Sequence, residues 1–220
     1  MPKYNKGYET KHRIIKAAKQ LFYENGLDQT KIIDICRLAG IKNSNFRYYF
    51  DSKTDLANEI SADLLVKTYH HIHLHHENSS KLDSFQQNAI SGMLHYSIIF
   101  SDEKNIRYYY QVLRQKSVYD YANKNVERIY KQFIKDFQLE IPLKDLPYFK
   151  AADLGMRRQL SIEYIEESYP ITPFDLSEKI STFTGRIFAI HPALVSDRIA
   201  YAREFATNTD FSNISYLKDL

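Results

Sequence analysis

Lys42, Asn43, Ser44, Asn45 and Arg47 stand together inside a stretch, Arg37 to Phe50, that contains no acidic residue. Cations and short polar side chains in that company can bond phosphate oxygens and the base edges exposed in the major groove of duplex DNA. The missing carboxylates spare an approaching polyanion any repulsion. Tyr48, Tyr49 and Lys53 follow on sides able to reach the sugar-phosphate backbone. The charge of the 220-residue chain is placed to match: residues 1–53 hold 11 Lys and Arg against 5 Asp and Glu, net +6, whereas residues 54–220 hold 19 against 22, net −3. A basic small module on a mildly acidic body is the distribution expected of a polyanion reader joined to something else.

Such a surface enters a groove only if the elements beneath it fix its pose. In a helix-turn-helix two short helices cross steeply, so the first needs a small residue at the crossing and the turn needs one tolerant of left-handed dihedrals. Cys36 and Gly40 fill those places, and Phe46 sits where the second helix needs an apolar anchor. Upstream, Ile14, Ala17, Ala18, Leu21 and Phe22 have the helical period, predicting a first helix from about Glu9 to a stop at Gly26. The Thr30 hydroxyl is expected to cap the next helix, which runs through Ile32, Ile33, Ile35, Cys36 and Ala39. A short segment from Asn43 to Phe50 follows, and Asp51 or Ser52 caps a long fourth helix through Leu56, Ile60, Leu64 and Leu65. The competing reading, short helices of an ordinary bundle, does not explain a helix that opens on Lys, Asn, Ser, Asn and Arg.

The rest of the chain keeps the helical period and has no strand signature. Apolar stripes run through Leu82, Phe85, Ala89, Met93 and Tyr96; Ile106, Tyr109, Tyr110 and Leu113; and Val118, Ala122, Val126, Ile129, Phe133 and Phe137. Pro142 and Pro147 bracket a break before a helix from Tyr148 to Glu167, Pro170 and Pro173 end it, and His191-Pro192 either kinks or divides the last block. Residues after Asn208 are polar enough to fray. The expected fold is all-α, with about nine or ten helices: a helix-turn-helix head over residues 1–53 and a larger helical domain over 54–220.

Other functions are weighed on the same footing. The chain has 44% hydrophobic and 26% charged residues and only 6 Gly and 6 Pro, a globular composition. Cys36 is the single cysteine, so no internal disulfide forms. No uncharged stretch is long and apolar enough for a membrane helix, and the lysines near the N-terminus interrupt any secretory signal, so the cytoplasm is the expected compartment. Nucleophile elbows, phosphate loops and metal-protease helices are missing, which argues against an enzyme and leaves no expected cofactor. His70, His71, His73, His75 and His76 cluster near the end of the fourth helix; ligand-spaced carboxylates or thiols are missing nearby, and a solvated helix terminus fits them better than a metal site. The 18 Tyr concentrate in the middle helices, and rings with a polar end suit a pocket for an apolar or aromatic molecule. Tyr96, Phe100, Tyr109, Phe133 and Met156 are the lining candidates, with plain core packing as the alternative; Tyr108, Tyr109 and Tyr110 cannot all face inward.

The run Arg13-Ile14-Ile15-Lys16-Ala17-Ala18-Lys19-Gln20-Leu21-Phe22, Gly26, Thr30 to Cys36, Ala39-Gly40-Ile41, Tyr49-Phe50-Asp51-Ser52-Lys53 and Leu56 resembles the N-terminal signature of TetR-type repressors. The resemblance covers about residues 11–57. It implies a homodimeric all-α transcription regulator whose larger domain binds a small molecule and thereby releases DNA. By it, Thr30 and Lys53 contact phosphates, Lys31 joins the DNA contacts, and Lys42 to Asn45 read bases. Two positions depart from the pattern: Arg47 stands where the family usually has Tyr, and Cys36 where Ala is commoner. Arg47 is carried as a DNA contact that either positions or specifies.

A lone recognition helix covers few base pairs, so two-fold pairing over a palindrome is required, with the two helices about 34–36 Å apart. As in the family, the helices 148–167 and 174–190 are expected to pair, centred on Ala151, Gly155, Phe183, Ile187 and Phe188; the alternative is that they close the monomer's own core. A repressor released by a small hydrophobic or aromatic effector is the leading expectation, and an activator or a metal-responsive regulator of the same fold the alternative.

Overall fold

The computed structural model describes residues 3–75, 82–115, 119 and 126–218, with side chains from residue 7 onward. His76, Val118, Tyr121 and Ala122, and the side chains of Lys3 and Lys6, lie outside it. Among the described residues there are nine α-helices and no strand: α1 Lys3–Gln29, α2 Ile32–Ala39, α3 Lys53–His75, α4 Ser84–Phe100, α5 Glu103–Arg114, α6 Val126–Asp136, α7 Leu146–Glu166, α8 Pro173–Ile187 and α9 Pro192–Asn208. Two short 3₁₀ segments, Asn43–Tyr48 and Leu143–Asp145, complete the set. No helix among the described residues is long and apolar enough to cross a membrane.

The helix ends follow local chemistry. Asp83 and Gln86 form a reciprocal capping box at the start of α4, as Thr172 and Asp175 do for α8. Asp102 accepts from the Lys104 and Asn105 amides at the start of α5. Ser52 Oγ accepts from the Asp55 amide at 3.1 Å, the expected cap of the long helix. His191-Pro192 divides two helices: α8 stops at Ile187, Ala189 turns through φ 54°, and His191 caps α9.

The core is one continuous cluster from Ile14 to Leu217. Its axis is α4, which packs on α9, α8, α3, α5 and α6 and buries residues on every side, Ile90, Met93, Leu94 and Ile99 among them. A helix apolar all round must be surrounded. The head, α1, α2 and the 3₁₀ segment, meets the body through α5 and α3. α3 begins at Lys53, where the expected division between domains falls, and runs unbroken from the head into the body.

The tail corrects one expectation. Tyr216 and Leu217 do not fray but are buried: the Tyr216 ring lies 5.4 Å from that of Tyr108, and its hydroxyl pairs with Ser61 at 3.2 Å. Composition alone missed an aromatic side chain able to fill a gap between α3 and α5.

Candidate nucleic-acid interface and effector cavity

The turn is built as the residue types require. Gly40 adopts φ 65°, and the amides of Gly40 and Ile41 close α2 onto the carbonyls of Arg37 and Cys36. Cys36 is buried at the crossing, and burial pushes its thiol pKa up. Phe46 is 1% exposed and its ring lies 5.9 Å from that of Phe50, so the following segment is pinned from below. That segment is a six-residue 3₁₀ turn rather than an α-helix. Lys42, Asn43, Ser44, Asn45, Arg47 and Tyr48 are all exposed around the buried Phe46, with Lys31 exposed beside them and Tyr49 half-buried against Tyr48. Ile33, expected in the apolar stripe of this helix, is about half exposed, as is Leu38.

Two residues expected to contact phosphates are engaged within the head. Thr30 is buried, and its hydroxyl donates back to the Gly26 carbonyl at 2.7 Å instead of capping α2, whose N-cap is Lys31 with no side-chain bond. The Lys53 ammonium donates to the carbonyls of Leu27, Asp28 and Thr30 at 2.7, 3.3 and 2.9 Å. In this arrangement three carbonyl acceptors share its three protons. Desolvation lowers its pKa, and Asp28 opposes that shift. Both residues clasp the end of α1 rather than face outward.

Inside the body lies a cavity of about 90 Å³. Tyr96 and Tyr109 line it as expected; Tyr119, one of the middle-helix tyrosines, lines it too, as do His95, Arg157 and Tyr216, for which the sequence gives no such expectation. Phe100 sits behind the wall, its ring 6.1 Å from that of Tyr96, and Met156 is partly buried but outside the lining. Phe133 is a correction: it is fully buried in an aromatic cluster with Phe85, Tyr130 and Phe188, away from the cavity. The signal for Arg157 was its four-residue spacing from Asp153, two opposite charges on one helix face.

The cavity's charge is internally matched. Arg157 Nε donates to Asp153 at 2.6 Å, and Nη2 donates to Asn88 at 3.1 Å and Thr184 at 2.8 Å. Asp153 also accepts from Tyr130 and Thr184. Burial opposes the guanidinium charge, but the Asp153 carboxylate outweighs it and raises the Arg157 pKa. Burial lifts the phenols of Tyr109 and Tyr119 well above their ordinary range, so they stay protonated. Burial first, and the Arg157 charge second, push His95 down to about 4, so it is neutral at pH 7.

Two walls of the cavity are tied to the head at one place. α5 turns Tyr109 and Val112 to the cavity and, from its other side, holds the end of α1. Arg107 donates to the Tyr23 and Glu24 carbonyls at 2.7 and 2.9 Å, Gln111 Oε1 accepts from the Leu27 amide at 2.6 Å, and Gln115 donates to Asp28 at 2.9 Å. These three recur every four residues, one stripe of the helix. Tyr23 adds a 2.8 Å bond to Asp102. α3, whose Ser61 and Leu65 line the cavity, holds the same knuckle through Lys53. The knuckle itself is Gly26, at φ 79°, where an added Cβ would lie 2.7 Å from Gln111 Oε1.

On the outer side of the body, Ala151, Ala152 and Gly155 of α7 are exposed, Phe183 of α8 is 38% exposed, and Ile187 is half-buried. Phe188, expected at the centre of this face, points inward instead, packed on Tyr130, Phe133 and Phe149. It follows the end of α8, and the change of backbone direction there turns it into the core. In the histidine cluster, His71 is buried with its ring 4.1 Å from that of exposed His75; among the described residues no three His, Cys, Asp or Glu side chains are placed to share a metal ion.

A small-residue crossing, a glycine turn and a buried aromatic anchor under an exposed basic segment define a helix-turn-helix head on a helical body. Residues 14–60 match the family described as bacterial regulatory proteins, tetR family. The probable HTH-type transcriptional regulator ArpR of Pseudomonas putida is 33% identical over 75 residues, 34% of this chain and 35% of that protein. The uncharacterized HTH-type transcriptional regulator YvdT of Bacillus subtilis is 41% identical over 69 residues, 31% of this chain and 34% of that protein. The matched region thus spans about a third of the length of these curated relatives. The fold of the whole chain resembles that of RolR in complex with resorcinol (TM-score 0.59, 16% identity, 90% of this chain and 96% of that one). It also resembles TylP, a TetR regulator from Streptomyces fradiae (TM-score 0.57, 15% identity, 92% and 99%), and FadR of Bacillus subtilis with stearoyl-CoA (TM-score 0.52, 17% identity, 82% and 99%). Residues 14–60 thus carry the sequence of the tetR-family DNA-binding head, and the rest of the chain resembles solved proteins of that kind in fold.

Proposed function

We propose that this protein is a ligand-responsive repressor that binds a palindromic DNA operator as a homodimer. The observation that carries the reading is the carboxylate-free segment Lys42 to Tyr48, exposed along its length and fixed by buried Phe46. Asn43, Ser44, Asn45 and Arg47 contact base edges or adjacent phosphates, and Lys31, Lys42, Tyr48 and Tyr49 hold the backbone. The outward face of Ala151, Gly155, Phe183 and Ile187 pairs with its copy across a two-fold axis, setting two heads one duplex turn apart.

The effector occupies the cavity between α3, α4, α5 and α7. Structural neighbours hold ligands as different in size as resorcinol and stearoyl-CoA; a space of about 90 Å³ favours the smaller. A bound ring pushes on Tyr109 of α5 and Leu65 of α3, and both helices end on the knuckle at Gly26 to Thr30, so the head is displaced and the spacing of the pair changes. Coupling of about 1–3 kcal/mol is the usual scale for such a shift. The test is a salt titration on short palindromic duplexes. Affinity is expected to fall steeply with salt, and Lys42→Ala to reduce the slope of log K against log salt by about 1. Saturable binding that ignores salt, or no binding to any duplex, overturns the reading.

A further inference from the structure

Most polar groups on the cavity wall are paired. Arg157 bonds Asp153, Asn88 and Thr184; Ser91 pairs with Thr68 at 2.6 Å, Tyr216 with Ser61 at 3.2 Å, and Tyr96 accepts from Ser161 at 3.4 Å. His95 is different. Its imidazole is part of the wall, and its Nδ1 is buried with no hydrogen-bond partner among the described residues. Buried polar nitrogens in folded proteins are nearly always satisfied, so this nitrogen, set just behind the wall, is one that a molecule in the cavity can bond once the imidazole turns about its Cβ–Cγ bond.

The surroundings restrict that molecule. Arg157 already has a carboxylate partner, so a buried anion would bring a charge with no counterpart; a cation would meet Arg157 itself, whose field, after burial, helps keep His95 neutral. The rings against His95 are those of Tyr96 and Tyr109, 5.5 and 6.0 Å away, and Arg157 shares the same wall. A neutral imidazole presents one N–H and one lone pair, and a hydroxyl can satisfy either because it both donates and accepts. The space as it stands is small. A cavity of 150 Å³ admits benzene, so about 90 Å³ accepts a single ring only if the walls give way.

We infer that the cavity selects an uncharged, one-ring molecule carrying a hydroxyl, with the hydroxyl hydrogen-bonded to the imidazole of His95. The inference rests on the reading of this cavity as the effector site and adds the class of effector.

Calorimetric titration of the full chain with phenol, toluene, benzoate and benzylamine tests it. Phenol is expected to bind about tenfold or more tighter than the other three. His95→Leu should bring phenol to the level of toluene without weakening toluene, and His95→Gln, which keeps a donor and an acceptor, should retain part of the preference. In the unsubstituted chain the imidazole ¹⁵N resonances of His95 should shift with phenol and not with toluene, a readout independent of whether any variant folds. Equal affinity for toluene or benzoate, an unchanged phenol affinity in His95→Leu, or unmoved imidazole resonances overturn the inference. Leu154→Phe, which fills the cavity, separates this from the broader reading. If it abolishes binding of a preferred toluene or benzoate, only the hydroxyl selection fails; if it leaves all probe binding intact, the cavity is not the site and both fail.

Discussion

At the residue scale, the role of a side chain is decided by what surrounds it. Phe46 and Arg47 are adjacent, yet one is sealed in the core and the other projects to solvent, because a tight turn sends neighbours to different sides. Lys53 reads in sequence as a free cation and is instead consumed by three carbonyls. His95 is held neutral, its pKa pushed down to about 4 from an ordinary 6.5, and burial lowers that of His71 as well. Between those values the unfolded chain binds more protons than the folded one, so stability should fall as pH drops from about 6.5 toward 4. Urea denaturation at pH 7 and pH 5 checks this: the midpoint is expected to be lower at pH 5, and His95→Gln should narrow the gap while leaving the share due to His71. Equal gaps in the two proteins would mean that His95 titrates normally.

At the scale of elements, α1 is the part on which the others converge. Its last turn is held by Arg107, Gln111 and Gln115 of α5, by Lys53 of α3 and by the Thr30 hydroxyl, all around the left-handed Gly26. The left-handed conformation there strains any other residue, and an added Cβ would lie 2.7 Å from Gln111 Oε1, so the Gln111 side chain would have to swing aside. Gly26→Ala should therefore cost about 1–3 kcal/mol of stability, read from denaturant midpoints. It should also weaken the response of DNA affinity to any cavity ligand, since Gln111 must move aside. A variant as stable and as responsive as the parent would show that the knuckle is not where the body grips the head. The sequence showed the glycine as a helix stop; that the stop is also a joint depends on α5, some 80 residues away along the chain.

For the whole molecule, the decisive question is how two copies meet. Phe183 of α8 and Ala151, Ala152 and Gly155 of α7 are all exposed, and the proposed pairing face of two copies runs through them. Phe183→Asp places a charge at the centre of that face and should shift sedimentation from dimer toward monomer, with operator affinity falling in step because one head alone covers too few base pairs. A variant that stays dimeric and binds DNA normally would move the interface elsewhere on the surface.

The helical class, the stop at Gly26, the turn at Gly40, the anchor Phe46 and the exposed basic segment were all legible in the residues, because each rests on local rules: a period, a permitted dihedral, a run without carboxylates. The inward turn of Phe188, the placing of Phe133 in the core, the burial of Tyr216 and the meeting of His95 and Arg157 at one cavity were not. Those depend on which helices pack together, and contacts between residues far apart in the chain leave no mark on the spacing of either partner.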